Sequence, residues 1–293
     1  MPLAPAYRSQ SRLLAALAVI VALVACSSTT QTPGGSPVPS ASQTPSDALL
    51  LLRVTSVGGF INPAANLAAL PTVVVYADGR ILAAGSPSAD NPSPLVMPVS
   101  VRNVGAVGAA GILAAIKAAG LDKASSADPG VPGDSGVNVF EVISGGLTTT
   151  TRFAGNGPAG PGAAGGDNPE RTAALDLLSR LLDPAETWGA APAAETIYQP
   201  VAYRVFVAPG APADDRTGQP PIAWPLDTPL SGFGAPAVPD LGINGLRSGV
   251  ILGPDVAVMA PIFAAASAGT AFTSAGQPFT LYVRALLPDE VGS

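Results

Sequence analysis

The sequence predicts an α+β domain: antiparallel sheet built from hairpins, three packed helices, and spacing that allows two related halves. Three observations carry that expectation. Short apolar runs separated by Gly-bearing turns recur through the chain and pair as hairpins. Three longer stretches place apolar residues at helical spacing. The first 47 residues have the make-up of an export signal followed by a spacer, which sets them apart from the rest.

The leader is residues 1–25. Arg8 and Arg12 precede an apolar run, and residues 13–26 read LLAALAVIVALVAC; no Asp or Glu occurs before Asp47. The run is about a dozen residues, short of the roughly 20 that a spanning helix needs. Its end, Leu23-Val24-Ala25-Cys26, resembles the lipobox of bacterial lipoproteins. That resemblance implies a thioether-linked diacylglycerol on Cys26, cleavage after Ala25, and a new amino group open to a further acyl chain such as palmitate. Two or three acyl chains anchor a protein stably where one does not. An ordinary signal peptide cut at Ala25, with Cys26 idle, is the alternative. Residues 26–47 are rich in Ser, Thr, Pro and Gly and too poor in bulky apolar groups to offset their ordering entropy, so they read as a disordered tether. The expected location is therefore the extracytoplasmic face of the cell membrane.

The folded region, residues 48–293, begins with a strand over residues 49–57 (LLLLRVTSV), followed by Gly58-Gly59-Phe60. Val73-Val74-Val75-Tyr76, Asp78-Gly79 and Arg80-Ile81-Leu82 form a hairpin, and Asp-Gly suits a type I′ turn. Residues 99–104 read as a short strand. Residues 108–119 carry Ile112, Leu113 and Ile116 at helical spacing, with Gly120 placed to end the helix. Residues 137–143 and 147–153, joined by Gly145-Gly146, make a second hairpin. Residues 155–166 (GNGPAGPGAAGG) lack the GK[ST] ending of a phosphate loop and read as a linker. Asn168-Pro169-Glu170 starts a second helix, with Leu175, Leu178 and Leu182 as its apolar stripe and Pro184 beyond its end. A strand over residues 201–207 follows, then a Pro/Gly-rich excursion over 209–239 containing Trp224. Residues 250–252 and 279–286 read as strands around a helix over 254–268 that Pro261 should kink. Arg102 and Gly108 share their spacing with Arg247 and Gly253, which suggests halves at 48–154 and 168–293.

Three stretches, RVTSVGGF, LPTVVVYADGRI and LYVRALLPDE, resemble a group of uncharacterised exported proteins of high-G+C bacteria. In that group a strand ending in Gly-Gly-Phe leads to an aliphatic-Tyr-x-Asp-Gly-Arg hairpin, and the chain closes on Arg-x-Leu-Leu-Pro-Asp-Glu. The resemblance implies an α+β fold and an envelope location; it carries no activity.

Composition excludes several chemistries. The chain has no histidine and one cysteine, Cys26, so triads built on His and His-based metal sites are absent. No calcium-loop spacing and no Ser-x-x-Lys occurs, and neither cofactor nor metal is expected. The net charge of −6 and the lack of any Lys/Arg cluster argue against nucleic acid. Asp214-Asp215, Asp255 and Asp289-Glu290 are the acids that a carbohydrate hydrolase would have to use, but acids among turns ordinarily serve the backbone. Arg102 and Arg204, inside apolar strands, either point into a binding cleft or face solvent. Trp224, Tyr198 and Tyr203 would line such a cleft, or pack in the core. The leading expectation is a lipid-anchored, non-catalytic module that binds an envelope protein or ligand. The alternative is a carboxylate-dependent hydrolase of envelope carbohydrate, and a solute-binding component of an importer ranks last.

Overall fold

Apolar alternation decides the first strand. In β1 (Leu50–Val57) Leu52 and Val54 are fully buried while their neighbours are only partly so. The computed structural model describes residues 49–57, 66–85, 93–123, 136–154, 168–191, 194–212, 218–237 and 243–291. The lipobox, the tether, Gly58-Gly59-Phe60, the 155–166 linker and Asp214-Asp215 lie outside the described residues.

Seven strands form the first sheet, in the order β6-β5-β1-β2-β3-β4-β7, every neighbouring pair antiparallel. They are β1, β2 (Val73–Tyr76), β3 (Arg80–Ala84), β4 (Val99–Asn103), β5 (Val137–Ser144), β6 (Leu147–Ala154) and β7 (Thr196–Ile197). Six more form the second sheet, ordered β10-β11-β8-β13-β12-β9: β8 (Ala202–Pro209), β9 (Ile222–Ala223), β10 (Ala235–Pro236), β11 (Arg247–Leu252), β12 (Ala271–Ser274) and β13 (Gln277–Ala285). Among the described residues only the β9–β12 contact is parallel. Among the described residues there are three helices, α1 (Gly105–Ala118), α2 (Pro169–Leu182) and α3 (Pro254–Ala265). The fold is α+β with two open, largely antiparallel sheets.

The type I′ turn expected at Asp78-Gly79 is found at the other hairpin. Val75 pairs with Ile81, so the β2–β3 loop has three residues, Ala77-Asp78-Gly79, and only Gly79 has positive φ (+89°). Asp78 instead accepts the Arg80 backbone N–H at 3.0 Å and the Arg80 Nε–H at 2.6 Å. The type I′ geometry belongs to Gly145-Gly146, where φ is +58° and +81° and Ser144 pairs with Leu147 across a two-residue loop.

Each sheet has its own apolar core. Helices α1 and α2 cover one face of the first, where Ile112, Ile116, Leu177 and Leu181 meet Leu52, Val73, Val75 and Phe140. Burying a side chain of that size stabilises by about 1.5–3 kcal/mol. Helix α1 ends as expected: Gly120 (φ +72°) donates to Lys117 and Leu121 to Ile116, the paired closure of a glycine cap. Helix α2 is capped by Asn168, whose Oδ1 accepts the Glu170 and Arg171 amides at 2.9 and 3.2 Å. Its buried stripe is Ala174, Leu177, Leu178 and Leu181; of the expected stripe Leu178 belongs to it, while Leu175 is half-buried and Leu182 exposed.

Helix α3 covers the second sheet with Met259 and Phe263, opposite Tyr203, Val205 and Leu281. It runs through Pro261 and stops at Ala265, three residues short of the expected end, and β12 begins at Ala271. The 209–239 excursion supplies β9, β10 and a wall of Trp224, Leu230 and Phe233 over the same core. Helix α2 and β7, on the second-half side of the expected border, pack on the first sheet. The helix hairpins also join differently: β5, the first strand after α1, borders β1, whereas β13, the second after α3, borders β8. Gly253 caps α3 at φ +59°, while Gly108 lies inside α1.

Candidate functional site

The reverse face of the first sheet carries a third, smaller cluster of Val74, Tyr76, Leu82, Val99 and Leu287, with Tyr198 against it. Leu287 comes from the chain's end. After β13, Leu286 donates its N–H to the Ala202 carbonyl at 3.0 Å, and Pro288–Glu290 forms a single tight turn. This turn sets two acids between the sheets' outward faces. Asp289 accepts from the Arg53 guanidinium and, at 2.6 Å, from the Tyr76 hydroxyl. Glu290 Oε2 accepts from Arg284 Nη1 at 2.7 Å and from the Leu287 amide at 2.9 Å. Arg80 stacks over the Tyr76 ring, 5.0 Å from its centroid. Arg53, Tyr76 with Arg80, and Arg284 with Asp289-Glu290 come from the three stretches that carry the exported-protein resemblance.

Protonation follows from those contacts. Burial opposes charge on Glu290, but the hydrogen bond and charge of Arg284, with the Leu287 amide and Arg53, hold its carboxyl below the usual range. Burial, reinforced by Asp289, drives the Tyr76 hydroxyl strongly upward, so it stays a donor. Burial likewise lifts Tyr198 to about 12, and Tyr198 donates to the Leu286 carbonyl at 3.0 Å. Tyr198 and Tyr203 line, with Pro98, Pro200, Phe263 and Ala285, an apolar crevice of about 170 Å³ between the sheets. Tyr203 is otherwise core, edge-on to Phe263 at 5.2 Å.

The sequence candidates separate. Arg102 is buried but meets no cleft: its Nη2 donates to the Leu181 carbonyl at 2.7 Å and its Nη1 to the Glu186 carbonyl at 3.3 Å. It closes the C-terminus of α2, where a cation complements both the free carbonyls and the helix dipole. Trp224 is core as well, edge-on to Phe233 at 5.8 Å, with its indole N–H on the Thr228 carbonyl at 2.9 Å. Asp255 is exposed in the first turn of α3.

Arg204 is the candidate left facing outward. Its neighbours Tyr203 and Val205 point into the second core, so strand alternation turns Arg204 and Phe206 to the opposite face. There Arg204 lies directly across from Arg284, and Phe206 from Tyr282; Val250 and Ser248 flank them on β11. Like charges facing each other across strands are destabilising. Glu290 compensates Arg284, whereas Arg204 has no acidic partner among the described residues.

Among the described residues no group of three or more His, Cys, Asp or Glu side chains is placed to hold a metal ion. None of the helices described is long and apolar enough to cross a membrane. No family model matches the chain, and no curated protein or solved structure does.

Proposed function

We propose that the protein is a lipid-anchored module on the extracytoplasmic face of the cell membrane that binds an envelope partner or ligand and catalyses no reaction. Leu23-Val24-Ala25-Cys26 supports the anchor, with acyl chains on Cys26 as the attachment. The observation that carries the binding role is the half-buried Arg204, set opposite Arg284, whose charge Glu290 takes up, with Phe206 and Tyr282 alongside. This arrangement costs stability in the free protein and suits an anionic group presented beside an apolar or ring-bearing surface.

The hydrolase alternative needs a carboxyl whose pKa is raised so that it can act as an acid. Asp289 and Glu290, the paired acids among the described residues, are instead neutralised by arginines, and Glu290 is shifted the other way.

The test is in-cell crosslinking from a photo-reactive phenylalanine analogue at Phe206, read by mass spectrometry, with Cys26→Ser as the unanchored control. One defined partner captured by the anchored protein and lost in Arg204→Ala supports the proposal. Turnover of an envelope carbohydrate by the purified protein, abolished by a single carboxylate substitution, would refute it.

A further inference from the structure

Among the described residues the two sheets end in four edges, and three are blunted. Strands β7, β9 and β10 are two residues each; β9 follows Pro220-Pro221 and β10 ends on Pro236. Short strands and prolines are the usual devices against unwanted edge pairing. The fourth edge has none of them. Strand β6 runs for eight residues, Leu-Thr-Thr-Thr-Thr-Arg-Phe-Ala, without proline or lysine, and β5 is the strand that pairs with it among the described residues. Leu147 at its start is 75% exposed.

We infer that this edge is a self-association surface: two copies pair antiparallel through β6, with the two-fold axis at Thr150. The hydrogen-bond phase selects the register. Ser144 and Leu147 flank a two-residue loop, so they exchange both bonds, and the alternation continues through the Val142–Thr149 and Phe140–Thr151 pairs. The N–H and C=O groups of Thr148, Thr150 and Arg152 therefore point away from β5.

An axis at Thr150 joins those groups in about six main-chain hydrogen bonds. It sets Thr150 against Thr150 of the second copy and Thr148 against Arg152. On the helix-bearing face it sets Thr149 against Thr151, and the exposed Leu147 against Phe153. Phe153 is already buried in the helix-covered core, so the threonine pairs, at Thr150 above all, are the ones that stabilise this pairing. An axis at Thr149 or Thr151 would call on groups already bonded to β5. An axis at Arg152 would oppose two arginines.

The chain from Ser27 onward contains the whole compact unit, Thr44–Ser293, and no cysteine, so single cysteines report the register. Opposed Cα atoms in a hydrogen-bonded pair are about 5.5 Å apart, within disulfide reach. Residues 148 and 152 each lie roughly 13 Å from their own copies. Thr150→Cys should form interchain disulfide at least about tenfold faster than Thr148→Cys or Arg152→Cys, while those two should crosslink each other when mixed. In sedimentation equilibrium the unsubstituted chain should show a concentration-dependent dimer. Thr150→Pro, which removes an outward N–H and fixes φ while leaving the bonds to β5 in place, should weaken it by about tenfold or more. Equal disulfide rates at the three positions, or a monomer up to millimolar concentration, would overturn the inference; a foreign strand on this edge would give the latter.

Discussion

Replacing Asp289 tests whether the C-terminal turn holds the two sheets together. Its carboxylate takes hydrogen bonds from Arg53 and Tyr76, and its side chain is only 16% exposed. A hydrogen bond to a charged group contributes about 1.5–3 kcal/mol, and a buried hydroxyl left unpaired costs about 1–3 kcal/mol. Tyr76 is fully buried, so its hydroxyl has no water to turn to. Arg53 is 21% exposed and has Glu290 at 3.9 Å, so its loss is partly compensated. The expected cost of Asp289→Ala is then about 2–4 kcal/mol in urea unfolding, or roughly 5–15 °C in Tm for a chain this size. Tyr76→Phe should cost about 1–2 kcal/mol. The double variant should fall short of additivity by about 1 kcal/mol, because both single changes remove the same bond. If Asp289→Ala unfolds within about 0.5 kcal/mol of the parent, the scatter of an ordinary surface change, the turn is not a clasp and the reasoning fails.

The same structure makes four further predictions. Arg102→Met leaves the last carbonyls of α2 without a donor and should cost about 2–4 kcal/mol by urea titration; a loss below about 1 kcal/mol would mean the cap is dispensable. Gly79→Ala should be far worse than Gly145→Ala in thermal unfolding. Both have positive φ, but a Cβ on Gly79 would sit 2.3 Å from the Gly105 carbonyl oxygen, whereas nothing lies within 4 Å of one on Gly145. Acid should weaken the fold through Glu290 and Glu186, the latter held low by Arg180 and the Trp188 amide. Their stabilisation is complete above the unfolded glutamate value of about 4.3 and is lost as pH falls through the lower folded values. The slope of stability against pH between about 3 and 5 should flatten in Arg284→Met. At the other end, Tyr198 keeps its proton to about 12, so stability should decline as the unfolded tyrosine ionises above about pH 10.

What could be read from the sequence was local, and what could not be read depends on partners far along the chain. Asn168-Pro169-Glu170 marks a helix start because the cap and the amides it satisfies are neighbours, and the structure has that cap. Gly120 ends α1 for the same reason. The role of Arg102 is invisible at this level: its acceptor, Leu181, lies 79 residues away, and a buried arginine in a strand reads the same whether it meets a ligand or a helix end. Strands β9 and β10 have two residues each, too few for any alternation, and exist because β12 and β11 offer them an edge. In α2 Leu178 is buried as its spacing implies, but Leu175 and Leu182 give way to Ala174 and Leu181, because the core-facing edge runs through an alanine that adds little to an apolar pattern.

The candidate site shows the same division. RVTSVGGF, LPTVVVYADGRI and LYVRALLPDE each contain residues that look solvated in isolation, and charged residues make up only 12% of the chain. Arg53, Tyr76, Arg284, Asp289 and Glu290 nonetheless converge, which dispersed surface charges have no reason to do. Convergence of that kind points to a constraint on position. The clasp explains it for four of the charges, since each arginine faces an acid. It does not explain Arg204, which shares the outward face, repels Arg284 and has no acidic partner among the described residues. Under the proposed binding role Arg204 is the charge left to meet a ligand, and that asymmetry makes Arg204, ahead of Arg102 or Trp224, the residue to substitute first.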